Sequence, residues 1–149
     1  MKNILVDNKD VPIEFFVDKD IAEDKQKGWA FHKGAKQKQR KDKATGFEYT
    51  FSEGSMTLTD DLNKPSRTII TGEGGNSPAR TKHLIKNNGK YRRLTPLELE
   101  RLNMFPDNFT QKGINGVILP TKRAFLMGNA LIVGLVEKIG SELIKKLNK

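Results

Sequence analysis

Residues Arg92 to Thr110 read RRLTPLELERLNMFPDNFT, and this stretch contains the clearest helix signals in the chain. Thr95 is a favourable N-cap, Pro96 suits the first helical position, and Glu98 completes a capping box with Thr95. Two leucines flank this start at the spacing of a hydrophobic staple: Leu94 and Leu99. We therefore predict a helix that begins after Thr95 and ends before Pro106, because proline cannot continue it.

A second helix is predicted downstream, from about Asn129 to Leu147. Apolar residues recur there at helical spacing: Ile132, Val136, Ile139, Leu143 and Leu147, with Leu135 widening the stripe. The first turns, residues 130–136, are apolar on nearly every side, whereas the last turns carry Lys145 and Lys146. We expect the N-terminal half of this helix to be buried more deeply than its end.

The chain before Arg92 contains short segments of strand-like composition. Residues 11–17 are one such segment, and in residues 47–51 aromatic side chains alternate with polar ones, as in a half-buried strand. Residues 67–71 (RTIIT) are rich in β-branched side chains and run into the glycine-containing loop 72–75. Residues 83–85 precede the turn signal Asn87-Asn88-Gly89 and are predicted as a further short strand.

These segments define an α+β fold. Residues 1–90 are predicted to form a small, mostly β domain with long basic loops, and residues 91–149 a helical region. Apolar residues make up only 36% of the 149 residues, so we expect part of the apolar surface to belong to an interface.

The composition excludes several classes of site. The chain has no cysteine, which rules out disulfides, thiolate metal sites and a cysteine nucleophile within it. Two histidines, His32 and His83, are too few for a histidine-rich metal site, and we predict neither a metal nor a catalytic residue in this chain. No signal peptide is recognised, and the longest apolar run, residues 130–136, is too short to span a membrane. We expect a cytoplasmic protein without a membrane partner.

The charge is positive and unevenly distributed. The net charge is +9, which favours a polyanionic partner such as nucleic acid. Residues 33–43 contain six cations against one acid: Lys33, Lys36, Lys38, Arg40, Lys41 and Lys43 against Asp42. A second basic region runs from Arg67 to Arg93. A solvated loop and a basic protein without a nucleic-acid partner remain alternative interpretations of this composition.

Three segments resemble the DNA cytosine-5 methyltransferase family. Residues 92–110 resemble its ninth conserved motif, and residues 123–136, RAFLMGNALIVGLV, are similar to its tenth, in the family's order. Upstream, residues 65–75, PSRTIITGEGG, resemble the Thr-aliphatic signature and glycine loop of the family's target recognition domain. Together they cover about the last 85 residues.

The resemblance implies roles for individual residues. Arg92, Arg93, Leu94 and Pro96 match the ninth motif, which organises the base of the recognition domain. Gly128 and Asn129, followed by Ala130 where many members have serine, match the tenth motif at the wall of the cofactor pocket. The Thr-aliphatic pair and glycine loop would lie near DNA: Thr68, Ile69, Gly72, Gly74 and Gly75. Arginine and lysine pair well with guanine, so we predict direct base contacts from Arg67, Arg80 and Lys82.

The same resemblance implies a catalytic part on another chain or segment. In the family a cysteine thiolate adds to a flipped cytosine, which then takes a methyl group from S-adenosylmethionine. This sequence lacks that cysteine, the Glu-Asn-Val motif and the Phe-x-Gly-x-Gly cofactor loop. We therefore expect the recognition subunit of a split bacterial or phage restriction–modification enzyme, or a C-terminal fragment, inactive alone. Its last helix would complete the partner's Rossmann-like domain, sharing S-adenosylmethionine with it.

Two other classes of function remain open on sequence grounds. One is a stand-alone DNA-binding module or an inactive remnant, and the other is a basic protein associated with RNA or the ribosome. An adjacent reading frame with the cysteine motif, ending before a recognition domain, would favour the split enzyme.

Overall fold

A computed structural model describes residues 1–148, in which short helices surround small antiparallel sheets. The helices are α1 (Lys19–Glu23), α2 (Trp29–Lys33), α3 (Pro96–Leu102), α4 (Pro120–Asn129) and α5 (Val133–Leu147). The strands are β1 (Phe16–Val17), β2 (Lys36–Lys41), β3 (Glu48–Glu53), β4 (Ile85–Asn87), β5 (Lys90–Arg92), β6 (Lys112–Gly113) and β7 (Gly116–Val117). The architecture is α+β, as predicted.

The central sheet has the order β1-β5-β4 and is antiparallel. Asn88 and Gly89 connect β4 to β5 with φ angles of 49° and 78°, as a tight hairpin turn requires. The turn is where the sequence predicts it, and the strand lies two residues later than predicted. The prediction for residues 11–17 is largely wrong: Ile13–Phe15 form a 3₁₀ turn, and only the last two residues pair with β5.

Strands β2 and β3 form a separate hairpin, with Lys36 opposite Glu53 and Lys41 opposite Glu48. The predicted strand at residues 47–51 is confirmed as β3, but it is not half-buried, because the hairpin exposes both of its faces. Phe47 and Tyr49 are 67% and 41% exposed. By contrast, residues 67–71 form no strand and instead run as an unpaired segment along the core.

Helix α3 confirms the prediction at its start and at its end. The Thr95 hydroxyl accepts a hydrogen bond from the Glu98 amide at 3.3 Å, and the Glu98 carboxylate accepts one from the Thr95 amide at 2.8 Å. The helix stops at Leu102, four residues before Pro106. Leu94 and Leu99 both belong to the buried core, so the residues of the predicted staple are in place.

The prediction of a single helix from 129 to 147 is wrong in its boundaries. Helix α4 starts at Pro120 and ends at Asn129, and the chain is not helical at 130–132 before α5 begins at Val133. The Gly-Asn step, Gly128-Asn129, therefore closes helix α4 instead of opening the helix that we predicted from about Asn129. The N-terminal half of α5 is less exposed than its end, as predicted: Val133 and Val136 are 41% and 48% exposed, against 84% for Leu147. No residue of α5 is fully buried in this chain, however.

The core consists of two apolar clusters on either side of the central sheet. One contains Ile69, Ile85, Leu94, Leu99, Ala124 and Met127; the other contains Ala22, Trp29, Leu84 and Tyr91. Successive residues of an extended chain point to opposite sides, which explains why Leu84 and Ile85 enter different clusters. The first cluster contains residues that come before and after position 90 in the sequence, so it joins the two predicted regions.

Taken as one unit, residues Pro120–Leu147 are long and apolar enough to cross a membrane, judged by length and composition. The observed break at 130–132 divides this unit in two. Helix α4 packs into the core through Ala124 and Met127. Helix α5 has 15 residues. That length corresponds to about 22 Å, short of the ~30 Å of a bilayer interior.

Candidate functional site

The glycine loop, residues 72–75, packs directly against helix α4. A Cβ on Gly74 would lie 2.8 Å from the Thr121 Cα, and a Cβ on Gly128 would lie 2.4 Å from the Thr71 amide nitrogen. Two glycines thus let the loop and the helix approach backbone to backbone. The structure brings together two sequence segments, the glycine loop and the Gly-Asn step, which lie more than 50 residues apart in the chain.

Two cations from other elements hold this loop in place. The Arg93 guanidinium donates to the carbonyl oxygens of Gly74 and Gly75 at 3.3 and 3.4 Å. The Lys82 ammonium donates to the carbonyls of Gly75 and Ser77 at 3.0 and 2.8 Å. Burial, reinforced by the nearby charge of Arg93, lowers the pKa of Lys82. The ammonium that we predicted to contact a base therefore serves as a loop anchor in this structure.

Arg67 is bound to a buried carboxylate. Its guanidinium donates to both oxygens of Asp60, at 2.5 and 3.1 Å, and to the carbonyls of Thr81 and Lys82. Burial opposes ionisation of Asp60, but the Arg67 hydrogen bonds and the charge of Lys33 hold the pKa of Asp60 below its usual value. Since four of its five N–H donors are used, base contact by Arg67 would require breaking these bonds.

Lys33 does not belong to the basic surface that the sequence suggested. Its side chain is 2% exposed and lies 3.7 Å from Asp60, and burial lowers its pKa. The backbone amide of the fully buried His83 donates a hydrogen bond to the Glu73 carboxylate at 2.7 Å. The Nε2 of His83 lies 2.9 Å from the Ser66 hydroxyl. These groups form an enclosed polar cluster beneath the glycine loop.

Arg80 joins the base of the β2–β3 hairpin to the rest of the chain. Its guanidinium donates to the carbonyls of Gly34 and Gly54 at 3.3 and 2.5 Å, and its Nε lies 3.8 Å from Glu53. Gly34 precedes β2 and Gly54 follows β3, so one side chain fixes both ends of the hairpin. A direct base contact by Arg80 would require breaking these hydrogen bonds.

The ninth-motif residues are buried and interconnected. Arg92 and Glu98 are fully buried and form a bidentate pair, and Arg92 also donates to Asn8 at 3.0 Å. Glu98 accepts a hydrogen bond from the Val6 amide at 2.9 Å. This network ties the N-terminal segment, β5 and α3 together. Leu94 and Pro96 are buried beside it.

A second buried carboxylate, Glu100, connects α3 to α4. It accepts hydrogen bonds from the Thr110 amide and hydroxyl and from Arg123, the last at 2.7 Å. Burial opposes ionisation, but these hydrogen bonds and the charge of Arg123 lower the pKa of Glu100. The sequence analysis did not single out this link, because nothing in local spacing relates residue 100 to residue 123.

The remaining predicted site residues differ in accessibility. Thr68 and Gly72 are exposed, whereas Ile69 belongs to the core. Asn129 is exposed at the end of α4, where its amide donates to the Phe125 carbonyl at 3.1 Å, and Ala130 is half-buried. Within residues 1–148, no group of three or more His, Asp or Glu side chains is arranged to hold a metal ion.

The β2–β3 hairpin carries a group of exposed cations. Lys38, Arg40, Lys41 and Lys43 are all exposed, in contrast to the internally bonded Lys82 and Lys33. The sequence identified this block as basic, but it could not say which of its cations would reach solvent.

The chain can now be placed in a family. The sequence model of C-5 cytosine-specific DNA methylases matches residues 6–145, nearly the whole chain. The protein therefore belongs to the C-5 cytosine-specific DNA methylase family.

Among curated proteins, the chain is similar to the type II methyltransferase M.Sau3AI of Staphylococcus aureus. The two are 48% identical over 101 residues, an alignment that covers 67% of this chain and 23% of the relative. The aligned part is thus less than a quarter of that relative. No solved structure matches the chain significantly.

Proposed function

We propose that this chain is the DNA-recognition subunit, or a C-terminal fragment, of a DNA (cytosine-5-)-methyltransferase in a restriction–modification system. It would methylate cytosine at a specific duplex site only when assembled with a catalytic part. The observation that carries the proposal is a family match over residues 6–145 in a chain without cysteine. The chemistry implied by the family uses a thiolate nucleophile, so a second part must supply it.

Helix α5 is proposed as the main contact with that catalytic part. One half of its surface is apolar and exposed: Val133, Leu135, Val136, Ile139, Leu143, Ile144 and Leu147. The other half carries Glu137, Lys138, Ser141 and Lys145. An aliphatic side chain contributes roughly 1.5–3 kcal/mol when fully buried, so such a face favours a protein partner over solvent. The alternative, in which α5 folds back on its own β region, does not match the observed exposure.

The end of α4 is proposed as one wall of the cofactor site. Gly128 and Asn129 are the last two residues of α4, and Ala130 follows them, three residues before the proposed docking helix begins at Val133. A single helix end forms only one side of a ligand site, so another part would have to supply the rest of it. S-adenosylmethionine would supply the methyl group, and in this chain the glycine keeps α4 against the 70–71 backbone.

Reconstitution tests the proposal. The chain would be co-expressed with a candidate catalytic part that carries the cysteine motif, and transfer of tritiated methyl groups to duplex DNA would be measured. We expect transfer by the pair and none by either part alone. Transfer by the purified chain alone, above a mock-purified control, would overturn the proposal, as would an inactive pair whose two parts co-purify.

A further inference from the structure

The β2–β3 hairpin has two chemically different faces. Residues directly opposite each other in an antiparallel pair project to the same side. The register places Lys38 opposite Phe51 and Arg40 opposite Tyr49, so these four side chains share one face, here called the cationic face. The opposite face, here called the neutral face, contains Gln37, Gln39, Thr50 and Ser52.

The positive charge of the hairpin is concentrated on the cationic face. Lys36 also projects there, and the single acid of that face, Glu53, lies beside Arg80 at 3.8 Å. On the neutral face, Lys41 is paired with Glu48 at 3.2 Å, and Gln39 accepts a hydrogen bond from Thr50 at 3.0 Å. Attraction to a polyanion therefore acts mainly on one side of the hairpin.

The guanidinium of Arg40 is held in a defined orientation. Its central carbon lies 3.8 Å from the centre of the Phe51 ring, which fits stacking of the guanidinium over the ring face. Stacking leaves the edge of the guanidinium, with its N–H donors, free for a planar partner. Phe47 and Tyr49 stack on each other nearby, 6.4 Å apart and within 10° of parallel, and both are exposed.

The hairpin is also firmly attached at its base. Arg80 bonds to the residues next to both strands, and the Met56 amide donates to the Lys33 carbonyl at 2.8 Å. Lys33 itself is buried beside Asp60. A hairpin fixed in this way can present one face in a constant direction, which base reading requires.

We propose that the β2–β3 hairpin lies in the major groove of duplex DNA with its cationic face toward the base edges. The groove is roughly 12 Å wide and admits a two-stranded ribbon. Arg40 would donate two hydrogen bonds to the O6 and N7 of a guanine, the commonest specific contact of this side chain. Lys38 would contact an adjacent base or phosphate. This assignment rests on the proposed DNA-recognition function and specifies the reading element, in place of the loop cations Arg67, Arg80 and Lys82.

The test uses the full chain and a duplex library randomised at its central base pairs. Sequences bound by the wild type are enriched, and the affinities for the enriched duplex and a shuffled duplex are compared by fluorescence anisotropy. Arg40→Lys keeps the charge but removes the planar fork. We expect it to weaken binding to the enriched duplex by about tenfold or more and to leave the shuffled duplex nearly unchanged.

Matched variants on the neutral face make the test specific. Gln37→Ala with Gln39→Ala changes the opposite face of strand β2 without altering charge, and we expect the enriched sequence to stay the same. Lys38→Ala should reduce the slope of log affinity against log salt by about 0.9 if its partner is a phosphate. Lys25→Ala with Lys27→Ala, two exposed lysines between α1 and α2, controls for loss of net charge.

The outcomes separate this proposal from the proposed function. If the wild type selects a sequence but Arg40→Lys selects and binds it equally well, the hairpin assignment is wrong and DNA recognition stands. A change of selected sequence in the neutral-face variant alone would reverse the assigned face. Equal binding to double-stranded RNA would exclude groove insertion, since the RNA major groove is too narrow. If the wild-type chain binds no duplex, the hairpin proposal fails, and the reconstitution assay decides the proposed function separately.

Discussion

The Arg92 guanidinium donates two hydrogen bonds to the Glu98 carboxylate, at 2.9 and 2.7 Å, and both side chains are fully buried. Glu98 also completes the cap of α3. One carboxylate thus joins the start of a helix, a strand end and the N-terminal segment.

Glu98→Gln should strongly destabilise the chain, because it leaves the buried Arg92 without its counter-charge. Breaking a buried pair costs roughly 3–5 kcal/mol. Urea unfolding followed by circular dichroism measures this change. Asp107→Asn breaks the exposed pair with Arg101 and serves as the control, for which we expect a much smaller change. Equal stability losses in the two variants would contradict a special role for the buried pair.

Gly128→Ala should lower the stability as well, because the added Cβ would lie 2.4 Å from the Thr71 amide nitrogen. Overpacking of this kind costs roughly 1–3 kcal/mol. Gly140→Ala is the matched control in α5, where an added Cβ has nothing within 4 Å. There we expect an unchanged or higher melting temperature, since alanine favours helix. An unaffected Gly128→Ala variant would show that α4 can move away from the loop freely.

The free energy of unfolding should fall in acid, because Asp60 becomes protonated there. Its pKa is lowered in the folded chain, despite burial, by Arg67 and Lys33. The ionised carboxylate therefore stabilises the fold at pH values above the ordinary value of 3.8, and this contribution is lost as the pH falls through the lowered pKa. Urea midpoints measured from neutral pH downward should fall in the wild type and less steeply in Asp60→Asn. An identical pH profile for both proteins would remove Asp60 from the explanation.

If α5 docks on the catalytic part, acidic substitutions on its apolar side should abolish assembly and leave the chain folded. Ile132→Asp with Val136→Asp should leave the circular dichroism and melting temperature nearly unchanged, because these side chains are 41% and 48% exposed. The same variant should no longer co-purify with the catalytic part. Ser141→Asp with Asn148→Asp adds two acids to the polar face, and that control should still assemble. Unfolding of the first variant by itself, or its undiminished co-purification, would overturn the docking model.

Arg80→Ala should weaken binding to the preferred duplex without changing the salt dependence. In the structure Arg80 bonds to the carbonyls of Gly34 and Gly54, so its loss frees the hairpin but removes no phosphate contact. Fluorescence anisotropy at several salt concentrations distinguishes the two effects. A salt slope reduced by about 0.9 would instead show that Arg80 neutralises a phosphate.

Local sequence signals determined the elements that depend on neighbours in the chain. The cap and end of α3, the Asn88-Gly89 turn and the extended character of residues 48–51 follow from short-range hydrogen bonding and steric preference. The family resemblance of residues 92–110 and 123–136 was also readable from sequence and is confirmed by the family match.

Only the tertiary structure decided which cations are buried and which are exposed. Lys33 lies beside Asp60, and Arg93 donates to carbonyls of the glycine loop. Lys82 is held by carbonyls of the loop just before it. Lys38 and Arg40 remain at the surface. Sequence records all of them as positive charges, because burial depends on packing partners far along the chain. For the same reason the periodicity of residues 129–147 identified an apolar helix face but not what covers it: in this chain that face is exposed, and its proposed cover lies on the catalytic part.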